Sequence, residues 1–233
     1  MRRLLSWLNL VFTTIVLALI ALAIAPFDPK GERLHAIGRL WARASLRCAG
    51  IAVSLEGAGP LSAPPYLFMA NHQSGLDIPV LLAAMPLPFK FVAKRELFRI
   101  PLFGWAIKKA GHISIDRENR REALKAIEEA VAKLAGGASV LIFPEGTRSK
   151  DGSLLPFMKG AFSLAARAAA PVVPMAISGT YALQPPGHTV PRASGRVGIR
   201  MGKPIPIEGK GLSYKAELMG EVRAVIEGLK KDV

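Results

Sequence analysis

The chain has 233 residues, enough for one domain with an appendage and a substantial core. Lysines and arginines outnumber acids 31 to 17, and the formal charge of +14 asks for an anionic partner: nucleic acid, an anionic membrane surface or a phosphorylated ligand. Few aromatics, no zinc-knuckle spacing and no Lys/Arg-dense tail argue against a nucleic-acid module, while the single Cys48 excludes an intramolecular disulfide and a cysteine metal cluster.

The first segment, "MRRLLSWLNLVFTTIVLALIALAIAP", has no charge between Arg3 and Asp28. Its apolar run from Leu4 to Ala25 is about 33 Å long as a helix, enough to cross a bilayer core. Past the break at Pro26–Pro29, "ERLHAIGRLWARASLRCAGI" predicts a second helix. Leu34, Ile37, Trp41, Ala44 and Cys48 fall on one face, with Arg39, Arg43 and Arg47 opposite. Both flanks of the apolar run are basic, and both favour the cytoplasmic side. The expectation is a two-helix region, residues 1–50, embedded in the cytoplasmic face of the cell (inner) membrane. A single span and a cleaved signal peptide are the alternatives.

From residue 51 to 233 the pattern is that of an α/β domain. Apolar runs at 66–71, 89–94, 112–117, 139–144, 172–178 and 196–202 read as strands, nearly continuous in apolar character and so covered on both faces. "IPVLLAAM" reads as a helix with Pro79 in its first turn. The helix in "ENRREALKAIEEAVAKLAGG" carries an apolar stripe of Leu124, Ile127, Val131 and Leu134, and a last helix spans about 213–231. The order strand, helix, strand over 112–144 makes a βαβ unit, so the predicted fold is a mixed, mostly parallel sheet flanked by helices. Three polar motifs follow strands, which is where open α/β sheets keep their ligand crevice.

"NHQSGLD" places His72 and Asp77 five residues apart. Asp77 suits an ordinary helix cap. It equally suits a carboxylate that accepts the imidazole Nδ1–H and leaves Nε2 free to take a proton. Both readings fit the residues. There is no G-x-S-x-G elbow, no HExxH and no cysteine pair, so attack by a bound hydroxyl or water is the chemistry left open. "FPEGTRSKDG" ends a strand in Glu145 and Gly146 and then presents Arg148, which can grip a phosphate. A plain turn with a Glu–Arg pair is the competing account. Arg117 and Lys94 each close a strand, and either can be an ordinary surface cation. His112 reads as a core histidine, and His35 and His188 have no evident partner.

Four blocks in order, "NHQSGLD", "FVAKREL…PLFGWAIKKAGHISIDR", "FPEGTRS" and "PVVPMAISGT", resemble the glycerolipid acyltransferase family, in particular the 1-acyl-sn-glycerol-3-phosphate (lysophosphatidate) acyltransferases. The resemblance runs from about Tyr66 to Thr180. It implies His72 as general base, Asp77 as its orienting carboxylate, and Glu145, Gly146, Thr147 and Arg148, with Arg117 and Lys94, as the glycerol-phosphate site. No metal or cofactor is implied. The donor would be acyl-CoA or acyl-carrier protein, the acceptor lysophosphatidate, and the workplace an anionic membrane surface. Another lyso-lipid acceptor such as lyso-ornithine lipid, or a non-catalytic lipid-binding protein, are the other readings. The block "PVVPMAISGT" suggests no side-chain chemistry of its own.

Overall fold

A computed structural model describes residues 2–57, 59, 61, 65–207 and 209–231. Helix α1 (Arg2–Ile24) turns through a short 3-10 segment, Ala25–Phe27, into α2 (Glu32–Ala49). Asp28 fixes the corner: its two carboxylate oxygens accept the backbone N–H groups of Glu32 at 3.1 Å and Leu34 at 2.8 Å. This satisfies helix-terminal donors that would otherwise be unpaired.

The remaining elements follow in order: β1 (Ile51–Gly57), β2 (Leu67–Ala70), α3 (Asp77–Ala84), β3 (Phe89–Lys94), α4 (Phe103–Lys109), β4 (Ile113–Ile115), α5 (Arg120–Ala135), β5 (Ser139–Ile142), α6 (Lys159–Ala168), β6 (Val172–Ser178), α7 (Thr180–Leu183), β7 (Gly195–Met201) and α8 (Lys215–Lys231). The seven strands form one sheet in the order β1-β7-β6-β2-β5-β3-β4. Strands β6, β2, β5, β3 and β4 are mutually parallel, β7 runs against β6, and β1 is parallel to β7. The carboxyl ends of the five parallel strands therefore share one edge.

Strand β2 lies at the centre and is fully buried. Its alternation sends Phe68 and Ala70 to the layer of α2 and α3, and Leu67 and Met69 to the layer of α5, α6 and α8. At the start of β3 the buried Lys90 donates to the carbonyls of Ala110 at 2.7 Å and Lys30 at 3.3 Å, tying the α1–α2 corner and the end of α4 to the sheet. Burial lowers its pKa.

Helix α2 differs from the one-faced reading of its sequence. Ala42, Leu46 and Ala49 enter the core beside the sheet, while Trp41 and Ile37 are only partly buried. With the sheet and α3 on one side and α1 on another, the helix is covered along two lines rather than one. Arg39 and Arg43 do not simply face solvent either. They donate to the carbonyls of Met85 (2.5 Å) and Ala83 (3.4 Å), the unpaired carboxyl end of α3. Helix α1 leaves Leu4, Leu8, Phe12, Ile15 and Leu19 exposed in a long apolar face.

Candidate active site

Where β2 ends, Asn71 replaces the strand ladder. Its side chain accepts from the Ile177 N–H at 2.6 Å and donates to the Ile177 carbonyl at 3.0 Å, holding the chain against β6 as it leaves the sheet. The next residue, His72, is clamped by its backbone. Its N–H donates to Glu145 at 2.7 Å, and its carbonyl accepts from the Ser149 N–H at 2.9 Å. The imidazole lies flat on Phe143, with centroids 3.9 Å apart and planes 12° apart.

His72 Nδ1 is 2.8 Å from Asp77 Oδ2. The same oxygen accepts the backbone N–H groups of Gln73 at 2.8 Å and Ser74 at 2.9 Å, and Oδ1 accepts the Thr180 hydroxyl at 2.6 Å. Asp77 is fully buried, and its side chain makes no cap bond to α3. It points back into the loop instead of forward into its helix, toward the imidazole. Oδ2 already accepts two amide N–H groups, so it suits a third donor, the Nδ1–H tautomer, in which the neutral ring carries its lone pair on Nε2. One face of the ring is packed and Nδ1 is occupied, which leaves Nε2 as the edge without a hydrogen-bond partner among the described residues.

Thr180 is the residue that sequence reasoning passed over. Its block was read as a strand without side-chain chemistry. Yet Thr180 opens α7 just past the carboxyl end of β6, beside β2, and also accepts from Gln73 Nε2 at 3.0 Å. The signal was available in the rule already applied to the other motifs, that polar residues just beyond parallel strands gather at one edge.

Glu145 sits under the loop rather than in the open. Its oxygens accept the N–H groups of His72 and Leu155, each at 2.7 Å. Burial pushes its carboxyl pKa up, and these two bonds pull the other way. Glu145 thus joins the β5 turn to the histidine's backbone, and it has no hydrogen bond to Arg148 among the described residues. Thr147 and Arg148 are exposed beyond it. Arg148 lies over the loop: a Cβ placed on Gly75 would be 3.6 Å from its Nη1.

Gly146 takes the left-handed conformation at φ 71°, and a Cβ there would be 2.1 Å from the Met158 sulfur. Gly146→Ala should cost about 1–2 kcal/mol of stability through the backbone alone. Thermal unfolding checks this, and an unchanged midpoint would mean that the turn relaxes freely.

Arg117 lines an apolar cleft of about 120 Å³ with Phe143, Gly146 and Met158, residues of the same turn and of the segment that packs on it. It is partly buried and has no hydrogen bond or ion pair among the described residues. Burial lowers its pKa, and Glu96 opposes that. Lys94 is not brought in with them. It is exposed and pairs with Glu96 at 3.3 Å.

The geometry is that of a strand-edge His–Asp pair with a cationic turn beside it. The acyltransferase family profile matches residues 52–178, more than half of the chain. The chain belongs to the acyltransferase family. It is 42% identical over 207 residues, 85% of its length, to a 1-acyl-sn-glycerol-3-phosphate acyltransferase of Chlamydomonas reinhardtii. It is 39% identical over 182 residues, 77% of its length, to the chloroplastic enzyme LPAT1 of Arabidopsis thaliana. The alignments cover 59% and 51% of those proteins, so the chain spans about half to three-fifths of the curated relatives it matches. The crystal structure of the 1-acyl-sn-glycerophosphate (LPA) acyltransferase PlsC from Thermotoga maritima superposes with a TM-score of 0.79 at 28% identity, covering 98% of this chain and 96% of that one. Every candidate residue read from the sequence lies inside the stretch matched to the acyltransferase family, and Thr180 lies just beyond it.

Proposed function

We propose that the protein transfers a fatty acyl group from an acyl thioester to the sn-2 hydroxyl of 1-acyl-sn-glycerol-3-phosphate, forming phosphatidic acid. The observation that carries this reading is the His72–Asp77 pair, 2.8 Å apart, with Nε2 free of hydrogen bonds among the described residues and the Arg148 turn beside it. Nε2 takes the proton as the hydroxyl oxygen attacks the thioester carbon. The C–O bond forms, the C–S bond breaks, and the proton on Nε2 passes to the departing thiolate. His72 becomes an imidazolium in between, stabilised by the buried Asp77 carboxylate. The names of the relatives, all 1-acyl-sn-glycerol-3-phosphate acyltransferases, support the acceptor. Arg148, over the loop, and Arg117, in the cleft beside Gly146, are the cations proposed for its phosphate, with Glu145, Gly146 and Thr147 shaping the turn. Lys94 is the weakest member of that set, since Glu96 already holds it.

An apolar cavity of about 110 Å³ is lined by Ile78, the residue after Asp77, with Leu82, Phe91, Leu17 and Ala106. We assign a stretch of the acyl chain to it. Residues 1–50 would seat the acyltransferase domain, 51–233, on the anionic cytoplasmic face of the membrane. That α1 packs against α2 and α4 while keeping an apolar outer face favours a helix pair lying in the surface over a free-standing span.

The test is acyl transfer by the full chain in detergent micelles, from acyl-CoA and from acyl-carrier protein, to lysophosphatidate. Phosphatidate is the expected product with at least one donor. Folded protein that acylates only another lyso-lipid overturns the acceptor, and one that acylates none overturns the enzyme. In the same assay Thr180→Val, which removes one of the four donors to Asp77, should lower kcat about tenfold, the low end for a hydrogen bond to a charged group. KM should hardly move, and Thr180→Ser should restore the rate. A change confined to KM would remove Thr180 from the positioning of His72.

A further inference from the structure

The acyl cavity carries one unspent polar group. The Phe91 N–H donates to His112 Nδ1 at 2.9 Å, so the proton of the neutral ring is on Nε2. His112 lies deep in the molecule, and burial, with Lys90 as the next cause, drops its pKa to about 3; the ring is neutral at physiological pH. Although deep, it keeps accessible surface, and the opening it lines is the cavity. Nε2 has no hydrogen-bond partner among the described residues, and it is not among the buried atoms sealed from solvent. With Nδ1 taken and the ring on the cavity wall, the Nε2–H is the donor left for a group in the cavity.

The other polar groups on this wall offer it nothing. The Thr14 hydroxyl donates to the Leu10 carbonyl and accepts from the Trp41 indole N–H. The nitrogens of His35 are sealed, with no partner of hydrogen-bond geometry, although the Phe89 carbonyl approaches the ring closely enough to oppose slightly the lowering of its pKa to about 4. A lone water on His112 would thus lack the two to four polar partners that hold buried water. A single donor in an apolar tube fits a single acceptor oxygen on an apolar ligand.

Resting on the acyl-transfer reading above, we propose that the enzyme accepts acyl chains bearing an in-chain oxygen, as a hydroxyl or a ketone, and that His112 Nε2–H is the residue that selects them. The position along the chain is bounded by geometry. Ring centroids step 3.9 Å from His72 to Phe143, 6.3 Å on to Phe91 and 5.7 Å on to His112, so the two imidazoles lie at most about 16 Å apart. A thioester held at His72 can extend its chain over that span through the cavity.

The experiment is a competition among acyl-CoAs of one chain length, plain, hydroxylated and oxo-substituted, with the oxygen moved along the chain in steps, using the full-length protein in micelles. An apolar tube should reject a buried hydroxyl by about 100-fold in kcat/KM. The expected result is rejection at most positions and near parity at one or two adjacent ones. The hydroxyl and ketone arms show which oxygen suits the donor. In His112→Leu the oxygenated-to-plain ratio at the favoured position should fall at least 30-fold, a ratio insensitive to how much enzyme is folded. Because this variant also strips the Phe91 N–H of its acceptor, a second readout uses the wild type. A non-reactive thioether analogue with its oxygen at the favoured position should shift the His112 Nε2 nitrogen resonance, and the plain analogue should not. Uniform rejection at every position, a preference that survives in His112→Leu, or equal shifts from both analogues overturns the proposal and leaves plain acyl transfer standing. No transfer of any chain overturns both.

Discussion

His72→Ala should lower acyl transfer to lysophosphatidate at least 100-fold while leaving the fold intact, the usual scale for losing a general base. The clamps on this residue are made by its backbone, through Glu145 and Ser149, and an alanine keeps both. What disappears is the ring on Phe143 and the Nε2 lone pair. The loss should appear in kcat as well as kcat/KM, because the proton is taken only as the reaction proceeds. Circular dichroism and the melting midpoint report whether the loop survives. Activity within a few-fold of wild type, in a protein that melts normally, would reduce the His72–Asp77 pair to loop architecture.

The second large effect is on Asp77. In Asp77→Asn, the amide oxygen has to take the place of Oδ2, where three N–H donors converge, and the amide NH2 takes the place of Oδ1 against the Thr180 hydroxyl, which can accept. The opposite orientation would set donors against donors. The substitution therefore keeps the shape and the proton on Nδ1 but removes the negative charge beneath the developing imidazolium. A loss of about 100-fold in kcat, about 3 kcal/mol of transition-state stabilisation, is expected, with a small change in melting midpoint. Asp77→Ala, which abandons four donors at a fully buried site, should unfold far more readily than the asparagine variant. If asparagine works as well as aspartate, the charge plays no part and only the hydrogen-bond frame matters.

Much of this was readable from the amino acids, for reasons that differ from element to element. Strands β3 and β6 coincide with their apolar runs, 89–94 and 172–178, because β6 is buried along nearly its whole length, β3 along its first half, and both have abrupt polar or proline-bearing ends. Strand β1 was missed. Only its alternate residues are inward, and it follows α2 directly through Gly50 in the left-handed conformation, with no loop to announce it. The face of α2 was misjudged because a periodicity argument supposes one buried side, and this helix has two. At the site, the His72–Asp77 spacing is local and so was legible. Thr180 reaches Asp77 from 103 residues away, a contact that exists only because β6 is the neighbour of β2. Glu145 was given a ligand or Arg148 as its partner, whereas backbone amides, which no side-chain pattern records, occupy it.

The outermost pairing of the sheet has a consequence for how the protein is made. Ile51 stands opposite Gly195, so β1 must wait for a segment 144 residues further along the chain before it has a partner. At about 5–20 residues per second of synthesis, roughly 7 to 30 seconds separate the emergence of the first two helices from that of β7. For most of that interval β2 has no β6, and Asp77 has no Thr180. The apolar face of α1 is thus displayed by the nascent chain well before any catalytic frame can assemble behind it. On the proposed function, this order of synthesis would let a lipid surface take up the helix pair first, so that the rest of the chain finishes folding beside the lipids it is proposed to act on.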